Sequence, residues 1–150
     1  MRTQYNLDLA IRSKKWDRHF LDQANLASEL SKDPSSKVGA VLVDSKNRLI
    51  SSGYNGFPYN ISDDPVRYED KELKHKLIIH AEMNAILFSG VVFRQEYITL
   101  YTYPFQPCER CAVIICQVGI SRVVTGMIRS KYPDSRWILE EADIKLDIVT

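Results

Sequence analysis

No apolar run in this chain approaches the roughly 20 residues that a membrane-spanning helix needs, so a membrane protein is not expected. The opening "MRTQYNLDLAIRSKKWDRHF" carries too many charges, and too short an apolar run, to read as a signal peptide. Cysteine is scarce. Three residues, an odd number without an export signal, do not make a disulfide framework. A reducing compartment, the cytoplasm, is the expected home, and clustered thiols there more often mean metal or catalysis. A strong charge of either sign is also missing: 20 Lys and Arg stand against 19 Asp and Glu, a net charge of +1. That balance argues against a broad basic surface for nucleic acid. Repeats, low-complexity tracts and linkers are absent as well. What remains is 150 residues, 45% apolar, which reads as one domain over 1–150 with a core of its own.

Periodicity supplies the elements. "WDRHFLDQANLASELS" sets Trp16, Phe20, Ala24, Ala27 and Leu30 at helical spacing, which predicts one apolar helix face. "KVGAVLVDSKNRLISSGYNG" predicts a hairpin turning at Ser45 to Asn47. A connection of about twenty residues follows "GFPYNISDDP", and loops that long are usually functional or partly helical. "IIHAEMNAIL" reads as a mostly buried helix. A strand ("YITLYTY"), a helix ("CERCAVIICQVG"), a strand ("SRVVTG"), a helix near Asp134 to Ala142 and a last strand ("KLDIVT") complete the chain. Strands alternating with helices predict a three-layer α/β/α domain, and the opening hairpin makes its central sheet mixed.

Within "IIHAEMNAIL", His80 and Glu82 interrupt an otherwise greasy segment. A buried carboxylate is costly unless paired, neutralised or set beside a metal, although a core histidine and a helix-start glutamate would be the plainer reading of this segment alone. "PCERC" is the second informative stretch. Cys108 and Cys111, three apart in a first helical turn, can aim both sulfurs at one ion, with Pro107 where a missing N–H costs little. A lone CxxC is equally a redox motif or two buried thiols. With His80 it becomes three ligands with a fourth position open, the arrangement of a catalytic zinc. Glu82 then has a task. Zinc lowers the pKa of a bound water toward neutrality, and a neighbouring carboxylate can carry its proton. A histidine, a glutamate two residues on and a distant PCxxC form the signature of zinc deaminases. A redox reading of the CxxC leaves His80 and Glu82 unexplained.

"SKDPSSKVGAVLV", "SSGYNGFP", "HAEMNAIL" and "PCERCAVIICQVGISRVV" together resemble the deoxycytidylate (dCMP) deaminases of the cytidine deaminase-like superfamily, from about residue 13 to 125. The resemblance implies a central mixed sheet between helices and hydrolysis of dCMP to dUMP and ammonia, feeding thymidylate synthesis. It makes His80, Cys108 and Cys111 zinc ligands and Glu82 the group that protonates the ring nitrogen and then the departing ammonia. Ala81 leaves room for the base and offers it a backbone N–H, and Asn55 holds the sugar. Phe88 would pack near the deoxyribose and Tyr132 close over the base, with ordinary core packing an equal alternative for both. Ser36 and Lys37 are the candidates for the phosphate, since a hydroxyl and an ammonium suit that group.

Relatives of this kind are homohexamers activated by dCTP and inhibited by dTTP, with magnesium accompanying the triphosphate. The resemblance therefore points to Gly56, Phe57, Pro58 and Tyr59 as an effector site. The chain departs from the pattern at Tyr59-Asn60, where many relatives continue Arg-Gly or Asn-Gly. The long connection holds only His75 and no cysteine, so one zinc per chain is expected. Two alternatives stand beside this reading. One is a tRNA adenosine deaminase-type RNA editor, which shares "HAE" but typically has tryptophan at the place of Tyr54. The other is a catalytically silent zinc or nucleotide-binding domain, which has no reason to keep Glu82.

Overall fold

The computed structural model describes residues 14–90 and 93–149. Residues 1–13, most of the stretch weighed above as a signal peptide, lie outside the described residues. The first helix, α1 (Lys14–Ser28), lacks glycine and proline and buries Asp17, Phe20, Leu21, Ala24 and Ser28. That face differs from the expected one. Trp16 and Leu30 are exposed, because the stripe runs through Leu21 and Asp17 and the helix ends before Leu30.

The hairpin is β1 (Gly39–Val43) and β2 (Leu49–Tyr54), paired antiparallel. The long connection is partly helical, as expected. A 3-10 turn (Pro65–Glu69) is capped by Asp64, and α2 (Lys71–Leu77) by Asp70, each carboxylate accepting a backbone N–H. Then come α3 (Ala81–Leu87), β3 (Thr99–Phe105), α4 (Glu109–Val118), β4 (Arg122–Met127), α5 (Ser135–Glu141) and β5 (Lys145–Ile148). The sheet order is β2-β1-β3-β4-β5, with β1 antiparallel to β3 and β3, β4 and β5 mutually parallel. This is the mixed sheet predicted from the sequence.

Both faces of the sheet are covered, and the pleat decides which residue goes where. Ala40, Leu42, Leu100 and Val123 join one core with residues of α3, α4 and α5. Their neighbours Val41, Val43, Tyr101 and Val124 join a second core under α1. A buried ionic cluster fixes α1 to the sheet. Arg122 reaches Asp17 with two bonds of 2.9 and 2.8 Å and Asp147 with one of 2.7 Å, and the Tyr101 hydroxyl donates to Asp17 at 2.7 Å. Two helices lie directly on strand backbone. A Cβ at Gly39 would collide with the Ala24 carbonyl of α1, and one at Gly53 would come within 2.5 Å of Ala81 and Ala85 backbone in α3. The glycine of β2 thus sets how closely α3 approaches the sheet. Among the described residues no helix is long and apolar enough to cross a membrane.

Candidate functional site

The loops that follow parallel β3 and β4 open beyond the carboxyl ends of those strands, where α/β sheets usually bind ligands. Helix α3 is shorter than the predicted segment. Ile79 is extended and exchanges backbone hydrogen bonds with Gly56, so the helix starts at Ala81 and His80 is its extended N-cap. Cys108 is likewise the extended N-cap of α4, with Cys111 in the following turn. Neither N-cap side chain caps its helix, which leaves both free to face each other. His80 Nδ1 lies 3.3 Å from Cys111 Sγ and 3.4 Å from Cys108 Sγ, and the three donor atoms fall within 4.8 Å of one another.

These residues fit zinc. Bonds of about 2.0 Å to nitrogen and 2.3 Å to sulfur at tetrahedral angles imply an N···S edge of roughly 3.5 Å, close to the two distances observed. The thiols are also prepared for a cation. The Cys111 thiol hydrogen-bonds Cys108, and with help from His80 this holds the Cys108 pKa down to about 4 despite its burial. The same contact, together with burial, pushes the Cys111 thiol up. The hydrogen bond to Cys108 outweighs burial at His80 and raises its pKa.

Glu82, one residue into α3, is 3% exposed. Burial raises its pKa above the usual carboxylate value, opposed by His80 and by a hydrogen bond from Thr102. Thr102 Oγ1 donates to Oε1 at 2.9 Å, and Cys111 Sγ lies 3.7 Å from Oε2. Sequence reasoning missed Thr102. Its signal was a hydroxyl on the strand face that otherwise carries Leu100 into the core. The carboxyl is therefore held in one orientation beside the three donors, placed to accept and give a proton there.

A cavity of about 240 Å³ stands over this group, lined by His80, Ala81, Glu82, Cys108, Asn55, Ser36 and Tyr132 among others. Asn55 is buried and heavily committed. Its Oδ1 accepts the Val38 N–H at 2.9 Å, and its Nδ2 donates to the Ser36 carbonyl at 2.8 Å. Buried Asp33 accepts from the Ser35 N–H and from Lys74 Nζ, and so shapes the loop before β1. Lys37 stands outside the lining. Ser36 and Val38 line the cavity on either side of it, and Lys37 is exposed. The cations lining the wall are Lys74, Arg129 and Lys131, none of which the sequence reading named.

Phe88 also lies elsewhere. It is 77% exposed, just past the end of α3 and roughly 10 Å along the axis from Ala81, so it neither reaches the cavity nor packs in the core. It lines a second hollow of about 250 Å³ with Tyr54, Gly56, Phe57, Pro58 and Tyr59. One face of Phe57 there is already stacked on Tyr68, with ring centroids 4.1 Å apart, whereas Tyr59 is fully open to solvent. Cys116 packs against the core beside Ile138, away from the thiol pair.

Comparison with known proteins bears on this arrangement. A family model described as the cytidine and deoxycytidylate deaminase zinc-binding region matches residues 14–127. The chain is 42% identical over 129 residues to a probable deoxycytidylate deaminase of Drosophila melanogaster, a match spanning 79% of this chain and 62% of that protein. It is 37% identical over 129 residues to the deoxycytidylate deaminase of Homo sapiens, spanning 81% of this chain and 68% of that one. The structure of dCMP deaminase from the cyanophage S-TIM5 in complex with dCMP and dUMP superimposes with a TM-score of 0.73 at 20% identity, over 91% of this chain and 99% of that one. At that identity the likeness bears on the fold.

Proposed function

This chain belongs to the cytidine and deoxycytidylate deaminase family, and on that premise we propose that it hydrolyses dCMP to dUMP and ammonia. The observation that carries the reading is the buried Glu82 carboxyl, fixed by Thr102 beside the His80, Cys108 and Cys111 donors at the floor of a nucleotide-sized cavity. The single domain uses one zinc per chain, held by those three donors. When bound, the metal supplies Lewis acidity that brings the pKa of a water toward neutrality. Glu82 takes a proton from the attacking water and delivers it to the ring nitrogen beside the amino-bearing carbon. A second proton passes through Glu82 to the departing amine, which leaves as ammonia, and the ring keeps the water oxygen as its carbonyl. Thr102 keeps Oε1 engaged, so that Oε2 is the oxygen directed at the donors.

The remaining wall suits a nucleotide. Ala81 leaves room for a flat base, and Tyr132 supplies an aromatic surface beside it. Asn55 retains one lone pair on Oδ1 for a sugar hydroxyl. Ser36 faces the same space and suits a phosphate oxygen. The second hollow, formed by Gly56 to Tyr59, suits a further nucleotide. Asn55 joins the two hollows through the chain, so an effector there can bias the substrate site by the 1–3 kcal/mol typical of such coupling. We assign dCTP with magnesium as activator and dTTP as inhibitor, acting in a homohexamer. A reducing cytoplasm suits the thiol pair.

Ammonia release should be measured on zinc-loaded protein with dCMP, dCTP, deoxycytidine and a tRNA anticodon stem-loop side by side. The reading expects dCMP to lead by at least tenfold in kcat/KM. A preference for the stem-loop would replace it with RNA editing, and no release from any substrate would leave a silent zinc domain. Sigmoidal dCMP curves straightened by dCTP and depressed by dTTP are expected. Superimposable hyperbolas would remove the regulatory part alone.

A further inference from the structure

Gln106 sits between β3 and the Cys108 turn, and it spends its whole carboxamide on one neighbour, the loop after β4. Its Nε2 donates to the Arg129 carbonyl at 2.9 Å and more weakly to that of Tyr132 at 3.5 Å, while its Oε1 accepts the Arg129 N–H at 2.7 Å. Its own N–H donates to the Met127 carbonyl at 3.2 Å. The residue is 2% exposed, so these bonds are made away from bulk water, where leaving them unmade is expensive. A surface loop is thereby tied to the segment that carries a metal donor two residues later.

What the tie holds in place is a cation. The Arg129 guanidinium carbon lies 4.6 Å from the centroid of the Phe105 ring and 5.6 Å from that of Tyr132, and all three residues line the cavity. Contact with the two ring faces confines the guanidinium and leaves its N–H donors for another group. Lys74, which also lines the cavity, is already neutralised by Asp33 at 2.8 Å. Among the described residues no carboxylate forms an ion pair with Arg129. A planar, confined and uncompensated guanidinium at the wall of a cavity recognises a phosphate through paired hydrogen bonds.

We propose that Arg129 is a specificity-determining residue that binds the phosphate of the nucleotide, and that Gln106 is the positioning residue that aims it. This rests on the reading of dCMP as substrate. It moves the main phosphate contact from the loop before β1 to the loop after β4. It also makes the monophosphate preference a property of two residues outside the metal set.

The test uses zinc-loaded protein, the product dUMP and its phosphate-free analogue deoxyuridine, whose affinities are measured by calorimetry in wild type, Arg129→Gln, Gln106→Met and the double variant. Arg129→Gln should cut the ratio of dUMP to deoxyuridine affinity by roughly ten- to a hundredfold, the worth of a charge-assisted hydrogen bond. Gln106→Met should cut it severalfold in the wild-type background and scarcely at all once Arg129 is gone, because its effect acts through that residue. In dCMP turnover the loss should fall on KM more than on kcat. If Gln106→Met fails to keep its zinc, Gln106→Asn serves the same cycle, retaining the amide but one methylene short. A ratio that ignores Arg129, or a Gln106 effect that is additive or equal for both ligands, overturns the inference while dCMP turnover by wild type stands. A wild type that neither binds dUMP nor deaminates dCMP overturns the underlying reading with it.

Discussion

Removing the Thr102 hydroxyl isolates one link between fold and chemistry. Thr102 is fully buried on β3, and its Oγ1 donates to Glu82 Oε1 at 2.9 Å. Thr102→Val keeps the shape of the side chain and deletes that donor. A hydrogen bond to a charged acceptor contributes about 1.5–3 kcal/mol, which converts to roughly a ten- to hundredfold loss in kcat/KM if it stabilises the working form of Glu82. The direction of the pH effect follows from the same bond. Burial raises the Glu82 pKa, and the Thr102 hydrogen bond lowers it again by favouring the ionised carboxylate. Without it the pKa climbs further, so the protonated form persists to higher pH and the acid limb of the kcat/KM profile moves upward. The measurement is kcat/KM for dCMP from pH 5 to 9 in both proteins, with zinc content checked in each. A Thr102→Val profile that drops uniformly without any shift of its acid limb would refute the idea that this hydroxyl tunes Glu82. A profile identical to wild type would show that the bond has no bearing on turnover.

Glu82→Gln should stabilise the metal-free protein, because the fold binds the Glu82 proton more tightly than the unfolded chain does. The wild type therefore loses stability as pH rises from the unfolded pKa through the folded one, and urea unfolding should show the variant's advantage growing between pH 4 and pH 8. A gap that shrinks over that range contradicts it. Asp17→Asn should cost about 3–5 kcal/mol, since it leaves Arg122 partly uncompensated in the core. Urea midpoints check this, and a loss under about 1 kcal/mol would show that Asp147 alone compensates Arg122. Gly53→Ala should push α3 off β2, because the added Cβ meets Ala81 and Ala85 backbone. Zinc retention and turnover should fall together by tenfold or more, although Gly53 touches neither metal nor substrate. Normal zinc affinity in Gly53→Ala would mean that α3 is less constrained than its packing indicates.

The fold was legible because its central strands alternate cleanly. "GAVLV" sends Ala40 and Leu42 to one core and Val41 and Val43 to the other, and that periodicity is visible in the letters alone. The three donors and Glu82 could be read because few chemistries need a histidine, a glutamate two residues on and a PCxxC. The α1 face was misread because Trp16 and Leu30 are apolar but lie outside the stripe. A buried aspartate, Asp17, takes a place that hydrophobic spacing cannot assign. Lys37 and Phe88 followed from resemblance to nearby motifs, but Lys37 is exposed outside the cavity lining and a helix end keeps Phe88 away from it. Lys74, Arg129 and Lys131 carry no local motif. They meet only because α2 and the loop after β4 converge over the same floor, which is a tertiary fact.

The most direct test of the account is turnover of dCMP by zinc-loaded Glu82→Gln. The amide fills the same space 2.9 Å from Thr102, binds no proton near neutrality and is not one of the three metal donors. Zinc should therefore stay at one per chain while ammonia release falls by several orders of magnitude. That is the loss expected when a single group performs both proton transfers. A Glu82→Gln protein that holds its zinc and keeps more than about a tenth of wild-type turnover would contradict the central claim and send the proton transfers to another residue.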